Sequence, residues 1–205
     1  LEQYVGYKGP GFVEHDLREK AAAAGIELPP FQTEFLESKN WLKENVIKFA
    51  PVEVEDFIIY GIHEKDIPPS DKVTLRIYAA TAFGSEHQTT KSCLRAISHL
   101  NRLGAAHRNI LDMGTGSGIL ALAAAKLWPD AARITAVDID PEAVAVTRQN
   151  ARDNHLEKYL TVAVSNGYNS DLVRNNAPYD IIIANILARP LIEMAPQLNQ
   201  ALAPG

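Results

Sequence analysis

The chain has 205 residues, 46% of them apolar and 22% charged, with a formal net charge of −5. This is a globular composition, long enough for one full domain and a small appendage; its acidic balance argues against free nucleic acid or an anionic membrane as the main partner. A single cysteine, Cys93, excludes an internal disulfide and suits a reducing cytosol.

No stretch approaches the ~20 apolar residues of a membrane span, and no signal peptide is visible. The chain opens on Leu1, which fits a cut or processed start. The six histidines show no ligand-type spacing with Cys, Asp or Glu, so no metal is expected. Cys93 lies at an apolar-compatible position of "TTKSCLRAISHL" and reads as a buried structural thiol rather than a nucleophile.

In chain order, "GFVEHDLREKAAAA" (11–24) predicts a helix stopped by Gly25. "GIELPPFQ" is a linker. Strand-like endings appear at "FIIYG", and "VTLRIY" (73–78) alternates as a strand does. From about residue 91 helix and strand patterns alternate: a helix over roughly 90–103, the strand "NILDM", the helix "GILALAAAKLW" stopped by Pro129, and the strand "RITAVDI". Then come the helix "PEAVAVTRQNARDN" with Pro141 in its first turn, the strand "LTVAVS", a weak helix over 169–176, the strand "YDIIIANI" and the helix "PLIEMAPQLNQAL". No internal repeat or low-complexity tract is present. Short continuous apolar strands between amphipathic helices are the pattern of parallel strands covered on both faces. The expected class is α/β, a doubly wound, mostly parallel sheet that binds its ligand at the carboxyl ends of the strands.

The stretch "ILDMGTGSG" carries the chemistry. The strand ends at Asp112, and Gly114, Gly116 and Gly118 follow at every second position. Glycines let a ligand approach the backbone without a Cβ in the way, and the helix that follows presents backbone N–H groups. A dinucleotide site uses the longer G-x-G-x-x-G spacing. An acid two residues before the first glycine repels a pyrophosphate but suits an ammonium group. Asp138 ends the next strand, 20 residues after Gly118, where a carboxylate can accept both ribose hydroxyls; a merely solvated strand end is the alternative. Asp140 reads as the cap of the helix beginning at Pro141. Together the glycines and the two acids point to S-adenosylmethionine.

Asn185 directly follows "DIIIA", at the carboxyl edge of the sheet. Its amide oxygen can accept a hydrogen bond from an attacking amine, the alternative being a cap for the helix at "LARPLIEM". The following Ile186-Leu187-Ala188 offers no aromatic ring to stack on a planar amino group, which favours a flexible aliphatic amine such as lysine. Phe83 can pack near a sulfonium or simply pack into the core. His87 reads as a base or an ordinary loop histidine, and Glu86 as a solvated charge.

"ILDMGTGSGILALAAAKL", "AVDIDPEAVAVTRQNA" and "IIIANILARPLIEMAPQL", with the loop "AATAFGSEHQTTKSCL" and the upstream "FAPVEVEDFIIYGIHE", resemble the methyltransferases that modify ribosomal protein L-eleven, over about residues 40–205. The glycine loop is common to many methyltransferases; the Phe-Gly…His…Thr-Thr loop combined with Asn-Ile-Leu-Ala is far more selective. The resemblance implies a Rossmann-like class I methyltransferase of the cytoplasm. It implies that Thr90 contacts the cofactor, that Gly114 lies against its amino-acid end, that Asp138 holds the ribose, and that Asn185 sits where cofactor and substrate meet. It divides the chain into 1–50, part of a substrate-recognition domain or a linker; 51–90, linker strands and a cofactor-covering loop; and 91–205, the S-adenosylmethionine domain. Two departures stand out. The loop at 83–90 is one residue shorter than the family pattern and lacks its second glycine, and the chain stops at "LAPG" where the family continues with further strands. The expected reaction is methylation of lysine or α-amino groups of ribosomal protein L-eleven. The alternatives are a related lysine methyltransferase with another protein substrate, or a non-catalytic cofactor-binding fragment; the loop spacing makes a nicotinamide dehydrogenase a poor third.

Overall fold

The structure, a computed structural model, describes residues 14–28, 30, 50–78, 87–104, 107–131 and 133–204. The chain divides into two compact units, Leu1–Lys39 and Asn40–Gly205. The first contains helix α1 (Glu14–Ala23). Gly25, with φ +70°, lies just past its end, where a left-handed residue closes a helix cheaply.

The second unit holds two sheets. The smaller is β1 (Val52–Val54), β2 (Phe57–Gly61) and β3 (Val73–Ile77), in the order β1-β2-β3. β1 and β2 form an antiparallel pair, whereas β2 and β3 run parallel with Phe57 opposite Val73. Helix α2 (Gln88–Arg102) follows, then β4 (Asn109–Met113), α3 (Ile119–Leu127), β5 (Arg133–Asp138), α4 (Pro141–Asp153), β6 (Leu160–Val164), a 3-10 turn (Gly167–Asn169), α5 (Asp171–Asn176), β7 (Ile181–Ile183) and α6 (Ala188–Ala201). The larger sheet has the order β6-β5-β4-β7, and every pair is parallel. The order reverses at β4, between β5 on one side and β7 on the other, which opens a crevice at the strand tips. The expected α/β class with a parallel sheet is what the chain forms.

Helix α3 shows why the sequence reads as it does. Its residues Ile119 to Ala125 are all buried, because it packs against β3, β4, β5 and α2 at once. A helix enclosed on several sides has no polar face, and its alanines let backbones come close. Helix α2 buries one stripe, Thr90, Leu94, Ile97 and Ser98, at helical spacing. Ile110, Leu122, Ile134 and Leu75 join this core with at most 1% exposure, and each such side chain contributes roughly 1.5–3 kcal/mol of burial. A second cluster under β7 gathers Leu111, Met113, Val137 and Tyr179.

Helix boundaries follow local chemistry. The Asp140 side chain accepts from the Glu142 N–H at 2.9 Å with Pro141 in the first turn, the cap expected from the sequence. Strand β7 is shorter than "YDIIIANI" suggests. Tyr179 leaves it to bridge Leu202, and its ring is fully buried with the hydroxyl donating to the Val173 carbonyl at 2.9 Å. Among the described residues, no helix is long and apolar enough to cross a membrane.

Candidate functional site

Asp112, Asp138 and the loop 113–118 converge at the tips of β4 and β5. The loop is tied down on every side. Gly114 and Thr115 donate their N–H groups to the Val137 carbonyl at 2.8 and 2.9 Å. Gly116 donates its N–H to Asp138 Oδ2 at 2.9 Å, and the Asp138 Oδ1 accepts from the Asp140 N–H at 3.0 Å. From α4, the Thr147 hydroxyl donates to the Gly116 carbonyl at 2.9 Å and Asn150 Nδ2 to the Ser117 carbonyl at 2.7 Å. Because a trans peptide sets N–H opposite C=O, the Thr147 bond turns the Ser117 N–H away from α4.

The three glycines have different neighbours. A Cβ on Gly114 would fall on the Ile186 Cγ2 methyl, and one on Gly118 (φ +82°) would lie 2.8 Å from Thr147 Cγ2. A Cβ on Gly116 would meet nothing within 4 Å. Two of the glycines therefore serve close packing, and the middle one faces open space.

The two acids differ in setting. Asp138 is partly exposed at the tip of β5. Its oxygens each hold one backbone N–H and retain lone pairs for further donors. Asp112 is 1% exposed. Its Oδ2 accepts from the Thr115 hydroxyl at 2.7 Å and from the Ala121 N–H at 3.2 Å, so it also caps the start of α3. Burial pushes its carboxyl up to about 6; the bonds from Thr115 and Ala121 pull the other way, and the Asp138 charge adds to the rise. The sequence suggests an acid standing in front of the glycines; the fold sets it beneath them, because the loop and the first turn of α3 close over the strand tip.

Asn185 is half-buried after β7, and its Nδ2 donates to the Thr90 hydroxyl at 2.9 Å. Thr90 is 1% exposed in the first turn of α2. The expected helix-cap alternative for Asn185 does not occur, since Leu187 occupies the N-cap of α6 with no side-chain bond. With Nδ2 committed, the carboxamide oxygen is the end left to accept from a donor. His87 occupies the N-cap position of α2. Phe83 and Glu86, with the shortened part of their loop, lie outside the described residues. Cys93 is half-buried, and burial followed by the Asp112 charge pushes its thiol up, which disfavours a thiolate nucleophile. Among the described residues no group of three or more His, Cys, Asp or Glu is placed to hold a metal.

Thr115, Thr147 and Asn150 were not apparent from the sequence as parts of the site, nor was the packing of Ile186 on Gly114. For Asn150 there was a signal: "TRQNARD" places an asparagine inside a helix, where asparagine is a poor helix former, whereas Asn154 is the C-cap of that helix. Such a cost in an otherwise regular helix marks a side chain with a tertiary partner.

Residues 13–205 match the family model described as ribosomal protein L11 methyltransferase (PrmA). The chain is 43% identical over 177 residues to the ribosomal protein L11 methyltransferase of Rhizobium meliloti (strain 1021), a match covering 86% of this chain and 60% of that relative. It is 39% identical over 198 residues to the protein of the same name from Agrobacterium fabrum, covering 94% of this chain and 66% of the relative. The chain thus spans about two thirds or less of these relatives' length. Among solved structures, the ribosomal protein L11 methylase of Lactobacillus delbrueckii subsp. bulgaricus superposes with a TM-score of 0.60 at 30% identity, over 76% of each chain. The parallel sheet, the braced glycine loop and these likenesses agree: the chain belongs to the ribosomal protein L11 methyltransferase family.

Proposed function

We propose that the chain is the S-adenosylmethionine-binding part of a protein methyltransferase that modifies amino groups, lysine side chains or the N-terminal amine, of ribosomal protein L11, working in the cytoplasm. The single observation that carries the cofactor reading is the cradle at Gly116. Its Cβ direction is open, its N–H is held by Asp138, and its carbonyl is drawn back by Thr147. Asp138 would hold the ribose hydroxyls through its remaining lone pairs. Gly116 would let the cofactor lie against bare backbone, Gly114 would let Ile186 pack on the loop beside the cofactor's amino-acid end, and Gly118 would keep the start of α3 close to α4. Asp112 would favour an ammonium group from beneath the loop through its charge. Thr90 would line the same crevice from α2, and Phe83 would approach the sulfonium from the loop preceding it.

S-adenosylmethionine supplies an activated methyl group on a sulfonium, so the protein's task is to bring a neutral amine into line with it. An unperturbed lysine has a pKa of about 10.4 and must lose its proton first. Desolvation in the crevice lowers that value. The Asn185 oxygen would accept an N–H from the amine and aim its lone pair, its orientation set by Thr90. Much of the rate enhancement then comes from positioning.

The test is calorimetry with S-adenosylmethionine, followed by mass spectrometry of ribosomal protein L11 after incubation with enzyme and methyl donor. Binding plus a gain of methyl groups on L11 supports the reading. Transfer to a different protein replaces the substrate, and binding without transfer reduces the chain to a cofactor-binding module.

A further inference from the structure

Helix α4 touches the edge of β3 through two asparagine side chains. Asn150 Oδ1 accepts from the Tyr78 N–H at 2.7 Å, and its Nδ2 donates to the Tyr78 carbonyl at 3.2 Å. Asn154 repeats the pattern at Arg76, with Oδ1 accepting from the N–H at 2.9 Å and Nδ2 donating to the carbonyl at 2.6 Å. Side chains at i and i+4 of a helix stand about 5–6 Å apart, close to the ~6.6 Å between alternate residues of a strand. The two carboxamides therefore occupy the place of a neighbouring strand on the edge of β3 that β2 leaves open.

The two residues differ in one respect. The second bond of Asn154 Nδ2 goes to the Asn150 carbonyl at 2.7 Å, within its own helix. Asn150 Nδ2 instead reaches the Ser117 carbonyl at 2.7 Å, in the glycine loop. Asn150 is fully buried, and one side chain spans β3 and the loop. Tyr78 is the last described residue before the segment carrying Phe83.

We propose that Asn150 is a positioning residue of the cofactor site, one that locks the glycine loop at Ser117 to the edge of the small sheet at Tyr78. Asn154, by the same token, is a stability residue only. The proposal rests on the cofactor reading above. It is tested with Asn150→Ala, Asn150→Asp and Asn154→Ala, measuring S-adenosylhomocysteine affinity by calorimetry and Tm by thermal unfolding. Both alanine variants lose strand-edge bonds and should lose comparable Tm. Asn150→Ala should weaken binding ~10-fold or more, as expected when one buried hydrogen-bonding link is removed, and Asn154→Ala should stay within about twofold. Asn150→Asp keeps the acceptor for Tyr78 but cannot donate to Ser117, so its affinity should fall as far as that of Asn150→Ala.

Where the Asn150 variants do not fold, hydrogen exchange on the wild type decides. S-adenosylhomocysteine should slow exchange of the Tyr78 amide and leave that of Phe57 on β2 unchanged; equal or absent protection overturns the proposal. Equal affinity losses in Asn150→Ala and Asn154→Ala, or none in either, also overturn it. A wild type that binds no S-adenosylhomocysteine overturns the functional reading and this role together, whereas wild-type binding with unaltered Asn150→Ala affinity overturns this role alone.

Discussion

The Asn185 carboxamide donates to the Thr90 hydroxyl at 2.9 Å, joining two residues 95 positions apart. The bond fixes which end of the amide faces the crevice. Thr90→Val keeps the shape and removes the acceptor. It should cut the methyl-transfer rate ~10-fold to ~100-fold, since misorientation of a positioning group carries a cost of that order. Thr90→Ser should restore most of the rate. Steady-state transfer assays on the three proteins check this, with Tm measured alongside to show that the fold is intact.

Asp112 gives the protein a pH signature. Its folded pKa of about 6 lies above the ordinary carboxylate value of 3.8, so between about pH 4 and 6 the native state holds the proton more tightly than the unfolded chain. Its contribution to stability is therefore most favourable below that window and declines as pH rises through it. Asp112→Asn keeps an oxygen for Thr115 and Ala121 and removes the buried charge. At pH 8 it should be ~1–3 kcal/mol more stable than the wild type, with the gain fading near pH 4. Denaturant titrations at the two pH values measure this. The same variant should bind S-adenosylmethionine more weakly, as the proposed attraction between the Asp112 charge and the ligand's ammonium group is lost.

Gly116 and Gly118 both have positive φ, +56° and +82°, yet alanine should affect them differently. Gly118→Ala brings a methyl 2.8 Å from Thr147 and should cost ~2 kcal/mol or more in strain and displaced packing. Gly116→Ala carries only the backbone cost of ~1–2 kcal/mol, but its methyl enters the open crevice. Its signature should be a loss of cofactor affinity larger than its loss of Tm explains. Thermal unfolding paired with calorimetry separates the two.

The parts of this molecule that were legible in the sequence are those decided by near neighbours. "NILDM" became β4 with unchanged limits because five consecutive residues suit a strand covered on both faces and the glycines end it. Asp140 caps α4 through a bond two residues away. What could not be read depends on distant partners. Nothing near Thr90 announces Asn185, and Asn150 and Asn154 find their strand-edge partners, Tyr78 and Arg76, 72 and 78 positions upstream. The parallel pairing of β2 and β3 was hidden for another reason. Parallel strands ordinarily need a crossover of about a dozen residues or more, usually helical, and here residues 62–72 return the chain without helix or strand. The setting of Asp112 beneath the loop follows from how the first turn of α3 packs, which residue spacing does not encode.

Which ligand the crevice takes is decided by calorimetric titration of the wild type and of Asp138→Ala with S-adenosylhomocysteine, with NAD as the competing ligand. The wild type should bind S-adenosylhomocysteine and not NAD. Asp138→Ala should bind ~10-fold to ~100-fold more weakly, as expected when hydrogen bonds to a charged acceptor are lost. NAD binding by the wild type, or unchanged S-adenosylhomocysteine affinity in Asp138→Ala, would contradict the cofactor reading.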